Sequence, residues 1–248
     1  MILGILFLLV AIFYASVGFG GGSSYLALLV LWDVPYIIIP AIALICNITV
    51  VSGNSFHYVR AGYLNWRLLL PPTIASIPFA YIGGRLEIEK ELFIIMLFIT
   101  LALAGIRLLF NYKLYDDNKD SYTPISILLG SSIGAVLGFL AGVVGIGGGI
   151  FLAPILYNLR AGSPKQIATT ASIFILVNSL SGLAGQLQKN GIADAIMDYW
   201  YLPLLVLIGG QIGNLLTIKF IPSRIIALLT AVLVLFVAVR LGIHILVG

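Results

Sequence analysis

Charge is scarce in this sequence. Asp, Glu, Lys and Arg make up 9% of its 248 residues, against about 25% in a typical soluble domain. That scarcity excludes a water-facing domain of any size. Cysteine is nearly absent: Cys46 is the single one and lies in an apolar run, so no internal disulfide can form. Histidine is limited to His57 and His244, which have no carboxylate or thiol cluster to complete a metal site. There is no HExxH, CxxC or Walker motif. The glycine run Gly18–Gly22 lacks the Lys-Ser/Thr and the strand that a phosphate-binding loop needs. Paired carboxylates and a nucleophile–base set are also missing, so the sequence predicts neither an enzyme nor a cofactor. No basic patch carries interleaved aromatics, which argues against a nucleic-acid partner.

Apolar residues fill the space that charge leaves. They account for 61% of the chain, and the mean hydropathy is +1.14. A spanning helix needs about 20 apolar residues. Apolar stretches fall at Ile2–Val17, Ser23–Leu31, Tyr36–Phe56, Leu68–Gly84, Leu92–Phe110, Ile125–Val144, Ile150–Leu159, Ile167–Leu187, Tyr201–Phe220 and Ile225–Val247. Backbone groups in lipid must bond within their own segment, so these read as helices. A transmembrane barrel would show polar–apolar alternation, and these runs do not. The first stretch has no positive n-region and has a counterpart later in the chain. It is therefore read as a structural segment rather than a cleaved leader.

The chain repeats itself. Val17-Gly18-Phe19-Gly20-Gly21-Gly22 matches Val144-Gly145-Ile146-Gly147-Gly148-Gly149. Pro35 then matches Pro164, Ser52-Gly53 matches Ser181-Gly182, and Pro71-Pro72 matches Pro203. Gly83-Gly84-Arg85 matches Gly209-Gly210-Gln211, and Arg107-Leu108 matches Arg240-Leu241. Landmarks in one order indicate duplication. The boundaries follow: a first transmembrane repeat over 1–110, a polar cytoplasmic linker over 111–123, and a second repeat over 124–248.

Three consecutive glycines should break a helix, because each costs about 1 kcal/mol in a helix interior. The pieces after the breaks are about ten residues long, or about 15 Å, half of a hydrocarbon core about 30 Å thick. Each glycine run is thus expected at the tip of a re-entrant hairpin near the midplane. The alternative is close helix packing through small residues. With one hairpin and three full crossings per half, the second half is inverted. Arg60, Arg67, Arg107, Lys113, Lys119, Arg160, Lys165, Lys219 and Arg224 then share one side, and Arg85, Lys90, Lys189 and Arg240 share the other. The positive-inside rule prefers that skew and puts the linker in the cytoplasm and both termini outside. The expected fold is an all-α polytopic membrane protein of two inverted repeats in a cell membrane.

Broken helices at a repeat interface form the binding site of many secondary transporters. Helices starting at Gly22 and Gly149 would aim unpaired N–H groups and a partial positive charge inward, which suits an anion. The candidate substrate-binding residues are Gly20, Gly21, Gly22, Ser23, Ser24, Gly147, Gly148, Gly149, Thr169, Thr170 and Asn178. Asn47, Thr49, Asn54, Ser172 and Gln186 are secondary candidates. For every one of these polar side chains, interhelical hydrogen bonding is the alternative role. Arg107 and Arg240 read as snorkelling cations, and Trp32, Trp66 and Trp200 as interfacial anchors.

The paired GFGGG and GIGGG motifs, with GVVGIGGGIFLAPIL and SPKQIATTASIFILVNSLSG in the second half, resemble the TauE/SafE sulfite exporter family along essentially the whole chain. The resemblance implies a multi-pass inner-membrane transporter of sulfur-containing anions such as sulfite, sulfoacetate or related organosulfonates. The first half departs from the second. Ser23-Ser24 stands where Ile150-Phe151 stands, and Pro40-Ala41 where Thr169-Thr170 stands, so the halves should contribute unequally. A passive anion channel and a non-transporting accessory subunit remain the alternatives to a transporter.

Overall fold

The computed structural model describes residues 2–17, 20–111, 122–216 and 223–247. Within them the protein is all helical: α1 (Ile2–Val17), α2 (Gly22–Leu31), α3 (Ile39–Arg60), α4 (Trp66–Arg85), α5 (Lys90–Asn111), α6 (Ile127–Val144), α7 (Gly149–Asn158), α8 (Pro164–Gln186), α9 (Ile192–Met197), α10 (Tyr201–Leu216) and α11 (Ser223–Val247). Every predicted apolar stretch became a helix within a few residues of its expected bounds. The short α9 was not expected, because six residues with an Asp leave no apolar run to read. Most of the linker, with Lys113 and Lys119, lies outside the described residues, as do Gly18, Phe19 and Lys219.

Helices α3, α6 and α8 are long and apolar enough to cross a membrane. The outer surface supports that setting. Ile74, Leu103, Leu128 and Phe236 are exposed on α4, α5, α6 and α11, whereas Asn47, Thr170, Ser172, Asn178 and Gln186 are fully buried. Apolar residues outside and polar ones inside reverse the pattern of a water-soluble fold.

Helix pairing follows glycine. On α6, Gly130, Gly134, Gly138 and Gly142 recur every four residues and so form one face. That face lies directly on α4: Cβ atoms there would strike Pro71, Pro72, Ser76 and Ala80, mostly at backbone atoms. Gly209 and Gly213 of α10 lie likewise against the carbonyls of Leu8 and Ile12 in α1, and Gly4 lies against Leu205. Helix α3 packs on α8, where Ser55 Oγ and Ser172 Oγ are 3.2 Å apart, and α5 packs on α11.

Two ends of the bundle are distinct. At one, Lys165 Nζ donates to Tyr63 OH at 2.9 Å, and Thr123 N donates to the Arg160 carbonyl at 2.9 Å. At the other, Arg240 pairs with Asp33 at 3.6 Å, and Arg85 lies against Gly185 at the end of α8. Arg240 therefore has a carboxylate partner, although so exposed a pair contributes little stability. Trp32, Trp66 and Trp200 are exposed at helix ends, consistent with anchoring. Among the described cations, Arg60, Arg67, Arg160 and Lys165 lie at the Tyr63 end and Arg85, Lys90, Lys189 and Arg240 at the other.

Helix α8 starts with a capping box: Ser163 Oγ accepts from Gln166 N, and Gln166 Oε1 accepts from Ser163 N. Ser163→Ala should lower unfolding stability by about 1 kcal/mol. Thermal denaturation in detergent, with flux retained, is the check.

Candidate functional site

Helix starts divide into two kinds. Asn65, Ser126 and Ser163 cap α4, α6 and α8 with side-chain oxygens. Helices α2 and α7 begin inside the protein after Gly21 (φ 79°) and Gly148 (φ 77°), and neither has a side-chain cap. Glycine suits both positions because an L side chain in the left-handed region costs about 1–2 kcal/mol. The first N–H groups of a helix have no partner within it, so these two buried starts present uncapped donors.

Each break closes a helical hairpin. In the first, Phe7 of α1 stacks on Tyr25 of α2 with ring centroids 4.8 Å apart, and Tyr14 OH lies 3.0 Å from Ser24 Oγ. Helix α1 starts at the Asp33 end, beside Tyr201 and Leu205. Helix α6 starts at the Tyr63 end, near Thr123. Helices α1 and α6 therefore start at opposite ends. The two breaks come together beside α3: Gly20 abuts Val51, Gly145 abuts Pro40, and Gly22 lies against the Ile146 carbonyl. The first arms have 16 and 18 residues against 10 in each return arm.

Asn47 stands where the two breaks meet. A Cβ would lie 2.7 Å from its Oδ1 at Gly20, 2.6 Å from its Nδ2 at Gly22 and 2.9 Å from its Nδ2 at Gly147. Asn47 is 0% exposed, and neither its Nδ2 nor its Oδ1 has a hydrogen-bond partner. Ser179 Oγ, 3.5 Å from a Cβ at Gly147, is buried and unpartnered too. Native proteins pair nearly all such groups, so these atoms single out the junction of the breaks as the candidate site.

The other sequence candidates are spread around this point. Thr170 Oγ1 and Asn178 Oδ1 are buried without partners, and Asn178 Nδ2 donates to the Phe174 carbonyl at 2.9 Å. The hydroxyls of Thr49 and Thr169 bond carbonyls of their own helices, Ile45 at 2.9 Å and Lys165 at 2.7 Å. Ser172 faces Ser55, and Ser24 faces Tyr14. Gln186 Nε2 donates to the Gly142 carbonyl at 2.9 Å. Ser23 and Asn54 are buried. Sequence reasoning passed over Ser179. The signal was a period of four: Ala171, Ile175 and Ser179 line the face of α8 that meets Gly147 and Gly149.

A cavity of about 280 Å³ opens at the Asp33 end, lined by Tyr36, Pro40, Glu87, Phe93, Val143 and Lys189. Its floor approaches the second break, since Gly145 abuts Pro40. Lys189 Nζ donates to Gln186 Oε1 at 2.8 Å. Burial holds the Lys189 amine below its usual pKa, partly offset by Glu87. Among the described residues no group of His, Cys, Asp and Glu could hold a metal ion.

The sequence model of the family described as Sulfite exporter TauE/SafE matches residues 3–241. The chain belongs to that family. This TauE/SafE protein is similar to several curated chains over differing lengths. A chain named probable membrane transporter protein from Sinorhizobium fredii is 27% identical over 241 residues, 96% of each chain. A similarly named chain from Haemophilus influenzae is 27% identical over 193 residues, 74% of this chain and 70% of its own. One from Xylella fastidiosa is 24% identical over 216 residues, 83% and 80% respectively. No solved structure matches. Family membership, these names and the apolar helices support a membrane transporter.

Proposed function

We propose that this TauE/SafE protein is a secondary transporter that exports a small sulfur-containing anion, such as sulfite or an organosulfonate, across the cell membrane. The anion binds between the two glycine breaks and is exposed to each side in turn. The observation that carries this reading is the buried, unpartnered Asn47 set against Gly20, Gly22 and Gly147 of the two breaks, which lead into the uncapped starts of α2 and α7. N–H groups and helix dipoles favour negative charge there without a buried Lys or Arg.

Helix pairing supports an inverted repeat. The α1–α10 contact of the first hairpin is answered by α6–α4 of the second, while α3–α8 and α5–α11 join the halves. Each hairpin is then re-entrant, and the residue groups 1–110 and 124–248 are the two repeats. The Tyr63 end, to which the sequence pattern assigns more Lys and Arg, is cytoplasmic. Moving one negative charge outward yields about 2.3 kcal/mol per 100 mV, enough to drive export without a chemical fuel.

Purified protein in liposomes tests the proposal. Saturable efflux of sulfite, sulfoacetate or another sulfonate, accelerated by an inside-negative potential, is expected. Flux that never saturates would make the protein a passive channel. No flux of any of these anions would make it an accessory subunit and end the transport reading.

A further inference from the structure

We propose that the site between the glycine breaks selects a monoanion that brings its own hydrogen-bond donor, and that Asn47 enforces the choice. The ligand class is an oxyanion still carrying one O–H, or a sulfonate bearing a hydroxyl. This inference rests on the anion-site reading above and narrows it.

Donors and acceptors at the site are unequal in what they demand. The starts of α2 and α7 supply only N–H groups, which any oxyanion oxygen can satisfy. Asn47 supplies both kinds of atom, and both are buried and unpartnered. Flipping the amide moves its acceptor from the Gly20 side to the Gly22 and Gly147 side, so an acceptor faces one or the other break in either orientation. A bare oxyanion has no hydrogen to offer that acceptor, so lone pairs would face lone pairs in a buried site. A ligand O–H removes the mismatch.

Packing does not require an amide here. On α8 the place facing Gly147 and Gly149 is filled by Ile175, an apolar side chain. Hydrocarbon and an unsatisfied amide thus stand side by side against Gly147, each 2.9 Å from a Cβ placed there. Charge points the same way. No Lys or Arg is among the side chains that meet the glycines, and the cost of burying an ion rises steeply with its charge. A monoanion is therefore favoured over a dianion.

The test is a matched pair of probes binding to purified protein in detergent: 2-hydroxyethanesulfonate and ethanesulfonate. Both are permanent monoanions and they differ by one hydroxyl. Calorimetry should show the hydroxylated probe binding at least about tenfold more tightly, because a site built around a ligand donor rejects the analogue that lacks it. Sulfite should bind more tightly at mildly acidic pH, where it keeps its proton, than at alkaline pH. Asn47→Leu should bind both sulfonates with one affinity. Equal binding of the two probes by wild type, which needs no variant to fold, overturns the inference while leaving the anion site standing. So does a hydroxyl preference that survives in Asn47→Leu. Failure of wild type to bind either sulfonate or sulfite overturns the inference and the anion-site reading together.

Discussion

Gly148→Leu will abolish transport while leaving the protein inserted and folded. Gly148 has φ 77° and caps α7 without a side-chain bond. Leucine there meets two penalties. The left-handed backbone costs about 1–2 kcal/mol for an L side chain. Its Cβ would also stand 2.9 Å from the Phe174 ring and 3.4 Å from the Leu137 carbonyl, leaving the rest of the side chain no path that spares the break. The relief is to move the first turn of α7, and with it its uncapped N–H groups and the adjoining Gly147 that meets Asn47. A displacement of about 1 Å at a binding constellation can cost about a hundredfold in rate. Insertion should survive, because leucine favours the apolar phase. Initial efflux rates from proteoliposomes should fall at least about a hundredfold while the elution profile in detergent is unchanged. Gly148→Ala, with the backbone strain but fewer clashes, should fall between. Wild-type flux in the leucine variant would falsify the proposed site.

The second large effect concerns the fold. Gly134→Val and Gly142→Val should each prevent recovery of folded protein. A Cβ at Gly134 would run into the Pro72 carbonyl, and one at Gly142 into that of Ala80. These are backbone atoms of α4 and cannot rotate away. The helices must separate, and the Gly130–Gly142 face loses its contact along several turns. Overpacking a core typically costs about 1–3 kcal/mol and more where backbone must shift. Against a total stability of about 5–15 kcal/mol, that is a large share. The control is Val136→Leu on the outward face of the same helix, where Val136 is exposed; it should be neutral. Monodisperse yield and melting temperature in detergent are the measurements. Folded Gly142→Val with wild-type melting would show that α4 and α6 do not depend on close backbone approach.

Helix α6 also shows where sequence reasoning stopped short. Its small residues were read mainly through the Gly147–Gly149 break, although Gly130, Gly134, Gly138 and Gly142 were equally visible. A period of four predicts a close helix contact but does not name the partner. The partner is α4, whose Pro71 and Pro72 give a surface without long side chains. Asn47 is a similar case. Its polar character was evident from the apolar run around it. Its place between two breaks about a hundred residues apart in sequence was not, because nothing local records which distant backbone approaches.

The sequence alone determined the class, the helices and the two interruptions. Hydrocarbon admits only internally bonded backbone, so apolar length and glycine breaks become structure almost directly, and α1 to α8, α10 and α11 follow the runs that announce them. Tertiary structure decided which buried polar groups remain without partners. Thr49 and Thr169 satisfy themselves on their own helices, and Ser172 does so across to α3. Asn47 and Ser179 do not. Serine falls in both groups. Hydrogen bonding is a property of pairs of atoms in space, and only the packed bundle says which pairs exist.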